Sequence, residues 1–253
     1  MQRSVALAAS FAALGLLTPA IAQVDSPTIA REYSLEAKPG QTEQFEAALK
    51  KQMEWYQENG EGWRWQTWQW DTGEKLGQYV IRSPGHRWED LDQRRGQKVR
   101  ASAHFREVVR PYVESMTSSI GTVLAGASHW PADLGQVPMV SVYTFQLNYG
   151  MDEAFNHQLA RIRKAVEASD WPVHYLWGTT VSGGEAGTYW LVIPHRTWAD
   201  LRGPEKEFWT MMEETIGRQE ADAMRGTFRK CVREQHTALA RFRPELSYAP
   251  SDE

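Results

Sequence analysis

Two stretches of this chain repeat each other at one fixed spacing. Tyr33 recurs as Tyr143, Phe45 as Phe155 and Trp88 as Trp198, each 110 positions later. Gly40/Gly150, Glu43/Glu153, Leu49/Leu159, Gly73/Gly183, Gly77/Gly187, Tyr79/Tyr189, Pro84/Pro194, Asp90/Asp200 and Leu91/Leu201 keep that spacing without a gap. Repeats of about 20–50 residues build open solenoids, whereas this period is the size of a small domain. The chain is expected to hold two like units packed as a pseudo-dimer, the first over 23–135 and the second over 136–248, with a tail at 249–253.

Each unit shows the same order of signals. A strand from Ile29 to Leu35, a turn at Lys38-Pro39-Gly40 and a helix from Thr42 to Gln57 match a strand from Val140 to Leu147, a turn at Tyr149-Gly150 and a helix that Asp152 is expected to cap. Phe45, Leu49, Gln52 and Tyr56 match Phe155, Leu159, Ile162 and Val166, an i, i+4, i+7, i+11 stripe that reads as core. A hairpin follows, Trp63 to Trp70 returning over Gln78 to Arg82, and Val173 to Val181 returning over Thr188 to Ile193, with glycine in each turn. Proline cannot donate to a ladder, so the returning strands are expected to stop at Pro84 and Pro194. Helical regions open at Trp88 and Trp198 and continue over Val99 to Val113 and Glu205 to Arg229, before last strands at Ser118 to Leu124 and Val232 to Leu239. The order β-α-β-β-α-β is the split βαβ, or ferredoxin-like, unit. The predicted fold class is α+β, two tandem ferredoxin-like repeats packed face to face as an intramolecular barrel.

The opening Arg31-Glu32-Tyr33-Ser34-Leu35-Glu36-Ala37-Lys38-Pro39-Gly40-Gln41-Thr42-Glu43-Gln44-Phe45 resembles the strand-turn-helix start of dimeric α+β-barrel proteins, including the NIPSNAP-like and antibiotic-biosynthesis-monooxygenase-like families. In layout the resemblance covers both copies; in letters it is confined to that opening. It implies a cavity between sheet and helices for a small apolar or aromatic molecule. Members of those families include cofactor-free oxygenases of polyphenols and haem binders, so fold alone does not choose among them.

The N-terminus has a basic start at Arg3, an apolar run from Val5 to about Leu17 and an Ala20-Ile21-Ala22 exit, the parts of a secretory signal peptide over 1–22. The reading is a periplasmic or secreted protein with no membrane span after cleavage. No phosphate loop or dinucleotide-binding turn is present, which disfavours nucleotide-dependent enzymes. The formal charge of -4 becomes -5 when Arg3 leaves with the signal, and without a basic stripe nucleic acid is an unsuitable partner. Arg94, Arg95, Lys98 and Arg100 read as a solvated helix face, and the single cysteine, Cys231, as a small buried residue.

The twelve tryptophans are the compositional outlier. Strand alternation puts Trp63 and Trp65 on one face and Trp68 and Trp70 on the other, unless a bulge intervenes. Trp177, Tyr189 and Trp190 add a second aromatic wall, and a planar ligand could stack there with Arg64 or His174 as its polar contact. The candidate ligand-binding residues are Arg64, Trp65, Trp68, His174, Trp177, Tyr189 and His236. His86 and His195 read as exposed corner residues, Glu153 with His157 as a polar pair facing solvent on its helix, and Glu32 as the one carboxylate placed within a first strand. No nucleophile motif or metal-ligand spacing stands out, and catalytic residues and cofactor are left unassigned. Three functions stay open: a binder of a small apolar or aromatic molecule, an oxygenase-like enzyme, cofactor-free or haem-assisted, and a cell-envelope structural or interaction module.

Overall fold

The computed structural model describes residues 29–131 and 134–250; the expected signal segment 1–22 lies outside them. The first half runs β1 (Ile29–Ala37), α1 (Thr42–Glu58), β2 (Gln66–Trp70), β3 (Tyr79–His86), α2 (Trp88–Gln93), α3 (Arg95–Val108) and β4 (Val113–Val123). The second runs β5 (Met139–Leu147), α4 (Asp152–Ala168), β6 (Leu176–Ser182), β7 (Thr188–His195), α5 (Phe208–Ile216), α6 (Arg218–Cys231) and β8 (Val232–Phe242). Within each half the strand order is the ferredoxin-like one, β4-β1-β3-β2 and β8-β5-β7-β6, and the two sheets join into one closed antiparallel barrel. One seam pairs Trp68 with Phe242 and Trp70 with Ala240; the other pairs Thr122 with Thr179 and Val123 with Gly178.

The duplicated residues do the same work in both halves. Phe45, Leu49, Phe155 and Leu159 are fully buried, because the stripe on α1 and on α4 is the only apolar face either helix has to offer its sheet. Gly40 and Gly150, at φ 72° and 75°, turn the chain from strand to helix in the left-handed region that favours glycine. Asp90 and Asp200 accept the backbone N–H of Arg87 and Thr197 at 2.8 and 2.9 Å, closing the short helix after β3 and after β7.

Three expectations need correction. Strands β3 and β7 run through Pro84 and Pro194 to His86 and His195. Each proline lies beyond the last residue paired to the neighbouring hairpin strand, Arg82 opposite Gln66 and Val192 opposite Leu176, so its missing N–H removes no bond on that side. Asp152 is the first residue of α4 and not its cap; Met151 stands at the cap without a side-chain bond. The region read as one helix over Glu205 to Arg229 is two helices broken at Gly217, φ 88°, and Val113 belongs to β4.

Alternation places two cores between the sheets and their helices and a third inside the barrel. Trp63 and Trp65 join the helix-side core of the first half, whereas Trp68 and Trp70 pack in the interior against Val140, Val142, Val192 and Ala240 of the second. The interior also holds Glu32, whose Oε1 lies 3.2 Å from Arg82 Nε across the β1–β3 ladder, and the Arg82 guanidinium faces the Trp190 ring at 5.8 Å. The register-equivalent residues Val142 and Val192 are likewise direct cross-strand partners. Trp190 in turn lies flat against Gly178, where a Cβ would sit 2.1 Å from its ring.

Two predictions follow from this interior. Glu32→Ala strands Arg82 in a half-buried site and is expected to destabilise by about 1–3 kcal/mol, whereas the double change to valine, which copies the Val142–Val192 pair, should cost less than the single change. Urea unfolding of the three proteins checks this. Gly178→Ala should cost about 1–3 kcal/mol by forcing Trp190 off its seat, while Gly226→Ala, in α6 with open space around it, should gain up to about 1 kcal/mol by the same measurement.

Candidate functional site

A cavity of about 1000 Å³ lies between the second half's sheet and its outer cover. The sheet floor comes from β5 and β7: Ser141, Tyr143, Phe145, Leu191, Ile193 and His195, the helix-facing residues of each strand. Tyr175 and Trp177 enter from β6 and the residue before it, and Ile162 and Phe228 from α4 and α6. Trp171, Pro172, Val173 and His174 form part of the rim, and Arg196, Asp200, Arg202, Lys206, Glu207, Phe208 and Trp209 the rest, the Trp171 and Phe208 rings meeting at 6.1 Å.

Local backbone ties hold this wall. Tyr175 and His129 exchange backbone hydrogen bonds at 2.9 and 2.8 Å, which anchors the segment before β6 to the link between the halves. The Trp177 backbone N–H donates to Ser128 Oγ at 2.9 Å. Arg163 donates to His129 Nδ1 at 3.1 Å, and the His129 and His174 rings lie 5.2 Å apart. Elsewhere on the rim, the Arg196 guanidinium donates to the Leu134 carbonyl at 3.1 Å and its backbone N–H to Asp200 at 2.7 Å.

Two polar atoms of the wall have no partner, Tyr175 Oη and His174 Nδ1. Burial pushes the Tyr175 hydroxyl up to about 12, so it stays protonated and is a standing donor. His195 Nε2 lies 2.8 Å from Ser141 Oγ. Burial lowers the His195 pKa from 6.5 against the pull of Asp200, which leaves a neutral imidazole at neutral pH. The cavity thus combines aromatic faces, a hydroxyl donor, a neutral imidazole able to accept a proton, and a rim carrying charges of both signs.

Of the residues singled out from the sequence, His174 and Trp177 line this cavity. Tyr189 packs behind it, with its hydroxyl 2.9 Å from Asn156 Nδ2, as the equivalent Tyr79 hydroxyl is 2.5 Å from Glu46. Trp65 lines a separate cavity in the first half, Arg64 precedes it and is half-buried, and Trp68 lies in the barrel interior beside Phe242 at 5.2 Å. His236 is exposed at 57%, 3.9 Å from both Glu74 and Glu234. The seven residues therefore occupy several places. His86 and His195, expected at exposed corners, are buried: each strand continues past its proline and carries its histidine inward, His86 stacking on Trp63 at 3.5 Å. Arg94, expected on a solvated face, is nine-tenths buried in an ion pair with Glu61 and lies 4.4 Å over Trp63. Sequence reasoning missed Ser141, Tyr175, His195, Phe208 and the charged rim. The adjacency of His195 to a proline inside a strand was the one signal that could have found any of them.

Buried histidines make stability pH-dependent with a definite sign. Burial holds His86, His129 and His195 below 6.5, so the unfolded chain takes up protons first and stability falls as pH drops below about 6.5 toward the folded values. Above that range the three contribute no slope. Urea midpoints measured across this window should fall with acidification, and His195→Gln should flatten part of that slope.

No protein-family model matches this chain, and no curated protein matches it in sequence. Solved structures do. A candidate monooxygenase from Fusobacterium nucleatum aligns over 86% of this chain and 93% of its own at 12% identity and TM-score 0.55. An anthrone oxidase-like protein aligns over 87% and 92% at 14% and 0.50. Chlorite dismutase from Candidatus Nitrospira defluvii, in complex with imidazole, aligns over 86% and 92% at 10% and 0.50. At such identities the likeness is one of fold, and in each case nearly the whole of a single neighbour chain is matched. Closed strand order, internal duplication and these neighbours together establish that the chain has the dimeric α+β-barrel fold, built here from two ferredoxin-like repeats in tandem.

Proposed function

We propose that this protein is an exported binder of a planar, hydroxylated aromatic molecule, seated in the second-half cavity. The observation that carries the reading is the cavity itself: about 1000 Å³ walled by Tyr143, Phe145, Trp171, Trp177, Phe208 and Trp209, with Tyr175 Oη and His174 Nδ1 left without partners. Rings stack on such walls, and an unpartnered buried polar atom costs about 1–3 kcal/mol, which a ligand hydroxyl would recover. Since Trp68, Trp70 and Trp190 fill the barrel interior, the ligand belongs between sheet and helices. Export rests on the signal-like segment, Arg3 followed by the apolar run and Ala20-Ile21-Ala22.

A second reading, oxidation of that molecule by dioxygen, is favoured by His195. A neutral imidazole in the wall can take the proton of a phenol, and the resulting electron-rich anion is the reductant for oxygen. Neighbours described as a monooxygenase and as anthrone oxidase-like support the same class. Iron porphyrin is the other occupant that the family resemblance implies. A ligating histidine normally has its second ring nitrogen held by a hydrogen bond, so that Nε2 is free for metal. His174 Nδ1 has no partner and His195 Nε2 is engaged by Ser141, so the wall does not fit that arrangement.

Titration calorimetry with 2-naphthol, compared with naphthalene, tests the binding reading. Saturable binding of the naphthol, weakened about fivefold or more by Tyr175→Phe, is expected; equal affinity for naphthalene would sink it. Oxygen uptake with anthrone tests the second: His195→Gln should slow it at least tenfold with binding retained, and uptake no faster than in buffer removes the oxidase reading.

A further inference from the structure

The first half has a cavity of its own, about 260 Å³, between β1 and β3 on one side and α1 and α3 on the other. Its chemistry differs from that of the larger one. Among the described residues its lining contains no carboxylate, and three cations reach it. Lys98 and Arg106 stand with Ser102 between them at intervals of four along α3, one face of that helix. Arg94 is the third, nine-tenths buried and held by Glu61.

Deeper in the wall are two buried donors whose hydrogen bonds the protein does not complete. Gln52 is 1% exposed, and its Oε1 lies 2.8 Å from His104 Nδ1, while its Nε2 has no hydrogen-bond partner. The Tyr56 hydroxyl is its neighbour and the protein group nearest to a partner for it. Trp65 is 2% exposed; its backbone is paired to Tyr248, but its indole Nε1 has no partner. An indole N–H can only donate.

We propose that this cavity is a site for a small monocarboxylate with an apolar or aromatic body. The polar groups singled out here, Gln52 Nε2, Trp65 Nε1, Arg94 and Lys98, are donors, and an ionised carboxylate is the common small group that only accepts. Charge-assisted bonds to it are also the strong ones. Leu35, Leu49, Met53, Ile81 and Phe105 supply the surface for the body of the ligand. In the second half the equivalent of Gln52 is Ile162 and that of Trp65 is Tyr175, whose hydroxyl is a single donor, so two such donors together exist in the first half alone. This site is independent of the aromatic-ligand reading above.

Titration calorimetry with benzoate, and with benzamide as the neutral analogue of the same shape, tests it on the whole protein. Benzoate should bind at one site, at least tenfold more tightly than benzamide. Lys98→Gln, at an exposed position, and Trp65→Phe should each weaken benzoate about threefold or more, while Tyr175→Phe in the other cavity leaves it unchanged. Absence of saturable benzoate binding to the wild type, equal affinity for benzamide, no effect of Lys98→Gln, or loss through Tyr175→Phe would each overturn the proposal.

Discussion

Two short backbone seams decide everything else about this molecule. A ferredoxin-like sheet has two open edges and one bare face, each of which invites association with another chain. Here β2 meets β8 and β4 meets β6, and those few pairs remove all four edges at once. The bare faces then become an interior, and the helices have only the outside left to cover. Ligand-sized space is consequently expelled to the two gaps between sheet and helix. The β4–β6 seam tolerates no bulk: a Cβ at Gly178 would meet the Trp190 ring at 2.1 Å, and one at Gly183 would meet the Ser118 carbonyl at the same distance. Closure of the barrel and the flat seating of Trp190 are one constraint.

Because both gaps descend from one repeat, their walls correspond residue by residue. Tyr33 and Tyr143, Leu35 and Phe145, Trp65 and Tyr175, Ile81 and Leu191 line the two cavities at register-equivalent positions. The difference in volume, about 260 against 1000 Å³, arises from the cover. In the first half α3 follows closely on α2. In the second, a short helical turn, an extended stretch around Gly203 and two helices divided at Gly217 take its place. The sheet was kept and the lid was rebuilt.

That division explains what the sequence could reveal. Strand order, helix stripes and turn glycines were legible because they obey the fixed periods of backbone geometry, and duplication wrote them twice. Pro84 and Pro194 misled because a proline forbids pairing only where a neighbour is present, and sheet extent beyond a hairpin is a tertiary fact. Arg94 misled for a related reason: a basic cluster on a helix reads as solvated until its buried partner, Glu61, more than thirty positions away, is known. The candidate site was half legible. His174 and Trp177 lie in the predicted β6 hairpin, but the cover residues around Phe208 and Lys206 carry no local pattern that ties them to it.

The duplication also supplies an internal control that a single domain lacks. Two residues at equivalent positions share a backbone setting, so a difference between them reflects local chemistry more than fold. Inside the barrel, Glu32 and Arg82 occupy the cross-strand pair that Val142 and Val192 occupy in the other half. The valine version demonstrates that the barrel does not need the charges to close, and continuum reasoning agrees that a buried ion pair gains little over a hydrophobic pair of similar size. The same comparison applied to the cavities separates packing from recognition. Leu35 against Phe145, or Ile81 against Leu191, exchanges one apolar filler for another, whereas Gln52 against Ile162 and Trp65 against Tyr175 change which hydrogen-bonding groups the wall carries. Unpartnered buried donors are expensive to keep. The joint presence of Gln52 and Trp65 in one half, in a sheet whose other copy keeps only the Tyr175 hydroxyl at the equivalent pair of positions, makes architecture a poor reason for the pair and ligand recognition the better one.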